Sequence, residues 1–352
     1  MNIVCLSSTG AAPRITLDLV KVLQIQRKTF KVFISKDNEL IQQYTEILGP
    51  KELEVIYKKK NLLTAIINRL MGGRWILNSI LIKKLDDHKI IFFPMATAWD
   101  YYLPKIIKKK FTIIRLIHDA KRHPGDKLPT NFMIGRQCHQ SDLIICLSKF
   151  TSNALQRKYR TDANKHLVVE HPVISIVETA HTSTSMNPYC LLIGRNKKYQ
   201  NFSNFIRIWE NKAPENWNSA LLAAGQGVSK HRYFERSKVT FLDKWLTESE
   251  LVNLIANSNA VVLPYTEASQ SGLIPIAKYF GKNIVLMPVG GLVEQLENYP
   301  GSWVARDVTD AMEIVLKEFP FKDIVKNEES WIKSWFKLVE VLGPSEHAKG
   351  DF

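Results

Sequence analysis

Short runs of apolar residues alternate with amphipathic stretches along the whole chain. In the first half, the strand-like runs are MNIVCL, KVFIS, LEVIY, KIIFFP, FTIIRLIH and DLIICLS, and the helix-like stretches include ITLDLVKVLQI and LTAIINRLMGGRWILNSILIKKL. Most of these runs show no alternation of polar and apolar positions. Strands that are apolar on both faces are typical of parallel sheets covered by helices on both sides. The first half therefore predicts a doubly wound α/β domain.

The second half of the chain repeats this pattern. Its strand-like runs are YCLLIG, SALLAAG, KVTFL, AVVLP, NIVLMP and SWVAR, and its helix-like stretches are NFSNFIRIWE, TESELVNLIANS, LIPIAKYF and DAMEIVLKEF. Thr247 and Glu250 have the spacing of a capping box, which marks the start of the helix TESELVNLIANS. A second parallel sheet with helices on both faces is expected here.

The chain length also favours two domains, because 352 residues exceed what one hydrophobic core usually holds. The polar segment ETAHTSTSMNP, at about 178–188, is a plausible linker. We expect a domain at 1–180, a second at 181–328, and a helix at 329–352 that packs back on the first domain. Two such domains would place a cleft between the carboxyl ends of both sheets, where ligands of α/β proteins bind.

Neither the apolar segments nor the cysteines suggest a membrane-spanning or disulfide-bonded protein. No stretch approaches the roughly 20 apolar residues of a transmembrane helix. The four cysteines, Cys5, Cys138, Cys146 and Cys190, lie in or beside apolar runs without paired spacing. We interpret them as reduced core thiols of a cytosolic protein.

The net charge of +14 predicts an anionic partner. Lysines cluster in the first half, as KKK at 58–60, KK at 83–84 and KIIKKK at 105–110, with apolar residues such as Ile106 and Ile107 between them. An anionic membrane surface fits this pattern. Nucleic acid fits less well, since no zinc-finger spacing, RNP-type motif or long basic tail is present. A solvated, solubilising face is the alternative.

The stretch PYTEASQSG follows a predicted strand and precedes a predicted helix. Ser271 and Gly272 therefore stand where backbone N–H groups point outward and the helix dipole favours an anion, such as phosphate. The alternative is that Ser271 only caps the helix and Gly272 only packs it against the strand. Glu267 lies in the same polar loop.

Two further strand ends carry polar side chains. Arg195, Lys197 and Lys198 follow the first strand of the second domain, and Arg and Lys are the usual partners of phosphate. His118 and Asp119 follow a strand of the first domain. Surface charge in the first case and a structural histidine in the second are the alternatives.

A metal site is only weakly indicated by the sequence. His123 comes five positions after His118 but is followed by Pro124 and Gly125, which favours a turn. The chain has no Asp-x-Asp pair, a common means of holding a metal-bound nucleotide. We expect no metal and no cofactor.

Several of these stretches together resemble the GT-B glycosyltransferases of the family 4 type, which are retaining enzymes common in bacterial polysaccharide and lipopolysaccharide assembly. The similar stretches are RLIHDAKRHPGD (115–126), SDLIICLSKFTSNAL (141–155), VVEHPV (168–173), LLIGRNKKYQNF (191–202), LLAAG (221–225), the block from Thr247 to Leu296, and SWIKSWFKLVEVL (330–342). The block at 260–296 is the most specific, and the first 90 residues match least.

The resemblance assigns roles to individual residues. It implies that Arg195 contacts the donor diphosphate, that the backbone at Ser271 and Gly272 meets the phosphates, and that His118 approaches the donor sugar. Gly10, in the first loop, would face donor or acceptor. These five positions would thus belong to one substrate site.

The sequence departs from the family pattern in two ways. Gln200 falls on or near the position of a family lysine, for which Lys197 or Lys198 would substitute. Of the two family glutamates spaced eight apart, Glu267 stands near the first and the second is missing. Its ribose contact would come from another residue, for which Glu294 is our candidate.

The resemblance implies transfer of a sugar from a nucleoside-diphosphate sugar to a glycan or lipid-linked acceptor, without a metal, in bacterial surface polysaccharide synthesis (O-antigen, capsule or lipopolysaccharide). We expect a cytoplasmic protein bound peripherally to the anionic inner face of the cytoplasmic membrane, and no nucleic-acid partner. The alternative is a non-catalytic GT-B scaffold or binding subunit of a polysaccharide assembly complex.

Overall fold

A computed structural model describes residues 1–56, 81–85, 89–95, 107, 110–121, 130–173, 188–214, 221–232, 238–318, 324 and 330–342. The chain divides into two compact units. The first comprises Met1–Pro172 together with Ile332–Phe352, and the second comprises Val173–Trp331. The predicted linker at 178–188 falls almost entirely outside the described residues.

The first unit contains a parallel sheet of seven strands in the order β3-β2-β1-β4-β5-β6-β7. The strands are β1 (Asn2–Cys5), β2 (Lys31–Ser35), β3 (Leu53–Ile56), β4 (Ile90–Phe93), β5 (Thr112–Leu116), β6 (Leu143–Cys146) and β7 (His166–Val168). The helices with described bounds are α1 (Ala11–Ile25), α2 (Ile41–Ile47), α3 (Asn131–Gln140) and α4 (Lys149–Tyr159). The order of strands reverses between β1 and β4, so this is the topological switch point of the sheet.

The second unit contains a parallel sheet of six strands in the order β10-β9-β8-β11-β12-β13. The strands are β8 (Cys190–Ile193), β9 (Leu221–Ala224), β10 (Val239–Leu242), β11 (Ala260–Leu263), β12 (Asn283–Leu286) and β13 (Ser302–Val304). The helices with described bounds are α5 (Phe202–Lys212), α6 (Glu248–Asn257), α7 (Leu273–Tyr279) and α8 (Val308–Glu318), followed by α9 (Ser330–Leu342). Here the switch point lies between β8 and β11.

The predicted fold class is confirmed. Each of the twelve predicted strand runs contains an observed strand, because the central strands are buried on both faces: all four residues of β1, β8, β11 and β12 are buried. The predicted capping box also forms, with Thr247 Oγ1 accepting from the Glu250 amide and Glu250 accepting from the Thr247 amide.

Helix α9 contacts the first unit. The indole of Trp335, whose side chain is fully buried, donates to the Glu170 carbonyl oxygen at 2.7 Å, and the Glu170 amide donates to Ser334 Oγ at 3.1 Å. Leu338 and Val339 of the same helix are also fully buried. The residues from Ile332 onward accordingly belong to the first unit.

The basic segments of the first half are described only in part. The KKK at 58–60 and two lysines of KIIKKK, Lys108 and Lys109, lie outside the described residues. Ile107 is buried in a hydrophobic cluster with residues of β1 and β4, so it does not present an apolar side chain to a membrane. Within the described part of the chain, no helix has both the length and the apolarity to cross a bilayer.

All four cysteines are buried and none forms a disulfide, as predicted. Burial raises the pKa of each of the three thiols Cys138, Cys146 and Cys190, in the first case to about 12. These thiols are therefore protonated core side chains.

Candidate functional site

The loops that follow β8 and β11 carry the predicted phosphate-binding residues of the second unit. These two strands are neighbours, and the strand order reverses between them. At such a point the loops after the two strands run toward opposite faces of the sheet and leave a crevice between them. Ligands of α/β proteins bind in this crevice. Arg195 and Ser271 thus follow β8 and β11, the two adjacent strands of the switch point.

The loop after β8 exposes its cations to solvent. Arg195, Lys197 and Lys198 are all exposed. Between them, Asn196 adopts a left-handed conformation with φ of 50°. Its Nδ2 donates to the Gly227 carbonyl oxygen at 2.7 Å, and its Oδ1 accepts from His231 Nε2 at 2.7 Å. The backbone of the basic loop is therefore fixed to the loop after β9 while its charges remain available.

Close packing of backbone supports the same region. A Cβ at Gly225 would lie 2.0 Å from the Gly194 carbonyl oxygen, and Gly225 has a φ of 138°. Only glycine allows this approach of the ends of β8 and β9. Asp243, after β10, accepts hydrogen bonds from the amides of Gly227 and Ser229 at 2.6 and 3.0 Å. Hydrogen bonds from the Ser229 side chain and these amides lower the pKa of Asp243, so it is a carboxylate that orders the loop.

The turn between β11 and α7 is held by a side chain that the sequence did not single out. Gln295 Oε1 accepts from the Ser271 amide at 2.8 Å, and Gln295 Nε2 donates to the Ser271 carbonyl oxygen at 3.1 Å. Ser271 Oγ accepts from the Leu273 amide at 3.3 Å. The Ser271 amide is thus bonded within the protein, and the hydroxyl of this residue is the group through which its side chain would reach a ligand.

The two glutamates proposed for this unit lie in different segments, Glu267 within that turn and Glu294 after β12. Glu267 is partly buried in the loop after β11. Glu294, also partly buried, opens a short 3₁₀ helix, Glu294–Leu296, next to Gln295. Gly272 is the residue that precedes α7. The roles assigned to these three residues remain predictions.

In the first unit, His118 and Asp119 follow β5 and form a pair. His118 Nδ1 donates to Asp119 Oδ2 at 2.8 Å, and the two side chains are 25% and 21% exposed. The pair is therefore accessible to a small ligand yet partly shielded from water. The hydrogen bond of Nδ1 to the carboxylate fixes the tautomer and the orientation of the His118 imidazole.

Two basic side chains, His171 and Arg14, lie near this pair. The ring of His171 packs edge-on against the ring of His118, with centroids 6.5 Å apart. Burial, together with the charge of His118, lowers the pKa of His171 to about 4. Burial also lowers the pKa of Arg14, on the first turn of α1, although Glu39 and Asp18 oppose that shift. His171 is thus neutral at physiological pH, and its Nδ1 donates to the Pro172 carbonyl oxygen at 3.0 Å.

Gly10 precedes α1 in the first unit and has a φ of 90°. Its amide donates to Glu39 Oε1 at 2.8 Å, across 29 positions of the chain. Helix α1 has no capping side chain of its own, so Glu39 provides the acceptor at its amino end. The amide of Gly10 is therefore occupied by a carboxylate, and its contact with a substrate remains a prediction.

Within the described residues, no group of three His, Cys, Asp or Glu side chains is arranged to hold a metal ion. His123, the second histidine considered for a metal, lies outside those residues.

Sequence reasoning missed three residues that shape these sites. These residues are Tyr265, Gln295 and His171, which lie within or beside the stretches that carry the predicted site. Tyr265 contacts Gln200, 65 positions away, and Gln295 contacts Ser271, 24 positions away. His171 packs against His118. For Tyr265, the available signal was its place directly after an apolar strand and before the turn that contains Gly272. Gln200 was noted only as a departure from a family pattern.

Solved structures similar to this chain share its fold over nearly their whole length. HepE of Anabaena, in complex with UDP and glucose, has 13% identity and a TM-score of 0.66 over 97% of this chain and 94% of that chain. A glycosyltransferase from Rickettsia africae has 15% identity and a TM-score of 0.62 over 96% and 93%. The UDP-GlcNAc 2-epimerase of Methanocaldococcus jannaschii has 12% identity and a TM-score of 0.66 over 97% and 99%.

No protein-family model and no curated protein matches the sequence. At these identities the structural likeness shows the fold alone. The chain has the two Rossmann-like domains of the GT-B fold, as the sequence predicts.

Proposed function

We propose that the chain is a retaining glycosyltransferase that uses a nucleoside-diphosphate sugar as donor. The observation that carries this proposal is the pairing of an exposed basic loop, with Arg195, Lys197 and Lys198, and the Ser271 turn at the switch point of the second sheet. A GT-B protein solved with UDP and glucose supports the choice of a nucleotide sugar over other anions.

The diphosphate is the leaving group of such a reaction, and negative charge develops on it as the glycosidic bond breaks. Arg195 and the neighbouring lysines would stabilise that charge, together with the hydroxyl of Ser271. These are fixed positive charges and dipoles, so the reaction we propose needs no metal ion. Arginine adds a bidentate contact with phosphate oxygens, which a single lysine cannot make.

We assign His118 to the donor sugar. Because Asp119 accepts from Nδ1, the imidazole is held in one orientation, and Nε2 can contact a sugar hydroxyl. A retaining double displacement would need a paired carboxylate close to the anomeric carbon. We propose instead that the acceptor attacks on the same face as the leaving diphosphate, a route that needs no such carboxylate.

The acceptor in this proposal is a glycan or lipid-linked glycan of bacterial surface polysaccharide, such as O-antigen, capsule or lipopolysaccharide. The lysine clusters of the first half support a second partner, the anionic inner face of the cytoplasmic membrane. The enzyme would then be cytoplasmic and bind that surface reversibly.

A nucleotide-sugar epimerase is the second candidate, because an epimerase shares this fold over 97% of the chain. The two reactions differ in what they release. A transferase in the absence of acceptor slowly releases nucleoside diphosphate and free sugar, whereas an epimerase converts one nucleotide sugar into another.

The test is to incubate the purified chain with UDP-, GDP-, ADP-, CDP- and TDP-sugars and to follow the anomeric and ring protons by NMR. We expect a thermal shift with one nucleoside diphosphate and slow release of that diphosphate, with the sugar appearing first as the anomer present in the donor. A new nucleotide sugar would favour the epimerase. Binding with no turnover, in the presence of acceptor glycans, would favour the non-catalytic scaffold. No binding of any diphosphate would refute both enzymes.

A further inference from the structure

Gln200 stands where the family resemblance leads one to expect a lysine, and the structure shows what it does instead. Its side chain is only 5% exposed. Oε1 accepts from the Lys197 amide at 2.9 Å, and Nε2 donates to the Tyr265 hydroxyl at 3.1 Å. Both ends of the amide are therefore used within the second unit, so Gln200 is not a direct contact for a ligand.

The amide of Gln200 spans two loops that leave adjacent strands. Lys197 belongs to the basic loop after β8, and Tyr265 belongs to the loop after β11. Further contacts join the same two loops: the amide and Oγ1 of Thr266 donate to the Tyr199 carbonyl oxygen at 2.8 and 3.3 Å. The rings of Tyr199 and Tyr265 meet edge to face, with centroids 5.9 Å apart. The two loops are thus fastened to each other at the switch point.

The Tyr265 hydroxyl extends this connection toward the turn before α7. Because Gln200 Nε2 donates to the Tyr265 oxygen, the hydroxyl proton of Tyr265 must point to another acceptor. Ser271 lies six positions further along the same loop as Tyr265. Burial raises the pKa of Tyr265 to about 12, and the side chains of Gln200 and Ser271 partly oppose the rise. Gln295 holds the Ser271 backbone in place from the other side.

We propose that Gln200 and Tyr265 are positioning residues that fix the basic loop against the Ser271 turn, so that both loops bind the diphosphate of the donor as one site. This inference rests on the proposed function, since it names how that same site is held together. The charges themselves come from exposed side chains, and the buried amide and phenol set the distance between them. A neutral pair suits this task, because a buried lysine would have to lose its charge or find a partner.

The alternative is that the pair contributes only to the general stability of the fold. Tyr189 provides a matched control for that alternative. It is as buried as Tyr265, at 4% exposure, and its hydroxyl donates to the Leu254 carbonyl oxygen at 2.7 Å within the same unit. Tyr189 precedes β8 and so lies at the opposite end of the strand from the basic loop.

The experiment compares Tyr265→Phe with Tyr189→Phe in the full chain. Tyr189→Phe loses the hydrogen bond to Leu254, and Tyr265→Phe loses at least the one from Gln200. Both variants keep the ring, so we expect small decreases in Tm in both. Affinities for UDP, GDP, ADP, CDP, TDP and inorganic pyrophosphate are then measured by calorimetry. For the diphosphate that the wild type binds, we expect Kd to rise about five- to tenfold in Tyr265→Phe, the effect of one lost hydrogen bond, and to stay unchanged in Tyr189→Phe.

A double variant tests whether Gln200 and Tyr265 act together. Gln200→Leu removes both hydrogen bonds of the amide at similar volume. If the two residues act as one unit, Gln200→Leu with Tyr265→Phe should weaken diphosphate binding no more than Gln200→Leu alone. The corresponding nucleoside, which lacks phosphates, should lose no affinity in any variant.

The outcomes separate the two proposals. Equal Kd values for Tyr265→Phe and Tyr189→Phe, with normal binding in the wild type, would overturn the positioning role and leave the proposed function intact. An equal loss of nucleoside and diphosphate affinity would also overturn it. If the wild type binds none of the five nucleoside diphosphates and no pyrophosphate, the proposed function fails and the positioning role fails with it.

Discussion

The carboxyl-end loops of the two sheets differ in where they keep their charges. In the first unit, His171 and Arg14 are both partly buried, and burial lowers the pKa of both. In the second unit, Arg195 and its neighbouring lysines are exposed, and the groups beneath them are neutral amides and hydroxyls, such as Gln200. In the first unit, burial therefore controls the protonation of the basic side chains. In the second unit, neutral hydrogen-bonding groups hold the basic loop in place.

This difference suggests a division of tasks. Exposed cations keep their charge over the physiological pH range and are screened by salt. A buried imidazole changes its charge within a few pH units of neutrality and costs stability when it does so. We therefore expect the second unit to set diphosphate binding, and the first to set the pH dependence of folding and the contact with the reacting sugar.

The largest expected effect is that of Arg195→Ala. Loss of a fixed donor to a developing negative charge lowers kcat by about 10²–10³-fold. Because Arg195 is exposed, the variant should keep the Tm of the wild type, and Lys212→Ala, an exposed cation in the same unit, is the control. Initial rates of transfer check the prediction. Retention of more than about a tenth of wild-type turnover would remove Arg195 from the diphosphate site.

A second prediction concerns His171 and acts on stability instead of activity. Its pKa in the folded state is about 4, below the ordinary value of 6.5, so between these values the unfolded chain binds a proton that the folded chain does not. The free energy of unfolding should therefore fall as the pH drops from about 6.5 to about 4, by roughly 3 kcal/mol from this group. Above pH 6.5 the group contributes no pH dependence.

Urea titrations at fixed pH values test this window. In His171→Gln the component between pH 6.5 and 4 should be missing, whereas in His139→Gln, which alters an exposed histidine of α3, it should be unchanged. Since the chain has two units, hydrogen exchange of peptides from the first unit should show the same pH dependence. A wild-type slope retained in His171→Gln would place the titrating group elsewhere.

His118→Ala comes next, with an expected loss of about 10²-fold in turnover, the lower end of what a positioned polar group contributes. Because His118 is assigned to the reacting sugar, kcat should fall and donor KM should change little. Asp119→Asn should lower kcat in the same direction, since it removes the carboxylate that orients the ring. A rise in donor KM at constant kcat would contradict the assignment and move His118 to donor binding.

Much of the fold was predictable because parallel strands are continuous apolar runs. The exceptions have physical reasons. β7 (His166–Val168) is a three-residue edge strand with no buried residue, and its apolar run, Leu167–Val169, is too short to stand out. Helices α3 and α4 are polar, and α3 contains Gly135, yet both begin at side-chain caps, Thr130 and Ser148, that accept from the amides three positions later. Those two caps were the signal that could have found them.

The candidate site was predictable at the level of loops and less so at the level of contacts. Residues after neighbouring strands meet at one sheet edge, which is why Arg195 and Ser271 lie on adjacent strand ends. The partners that hold them were not predictable, because Tyr265 is 65 positions from Gln200 and Gln295 is 24 from Ser271. Such pairings depend on tertiary packing, which local sequence patterns do not record.

The smallest expected effect is that of single lysines on membrane binding. The basic segments lie in the first unit, and the structure describes exposed Lys83 and Lys110, whereas Lys84 is paired with Glu54 and is a poorer choice. Each lysine near an anionic surface contributes roughly 1 kcal/mol, so Lys83→Gln or Lys110→Gln should lower the partition coefficient about fivefold. Salt should weaken the binding, since charges beyond about 8 Å are screened at physiological ionic strength.

Liposome flotation with and without anionic lipid measures this effect, with Lys212→Gln in the second unit as the charge-matched control. Two triple variants should lose binding in proportion to the charges removed. One changes Lys58, Lys59 and Lys60 to Gln, and the other changes Lys108, Lys109 and Lys110 to Gln. Because Ile107 is buried, we expect the attachment to be electrostatic and to vanish at high salt, without a residual apolar component from that residue. Equal recovery with neutral and anionic liposomes, or an equal loss in Lys212→Gln, would refute a membrane-binding surface on the first unit and leave its lysines a solubilising role.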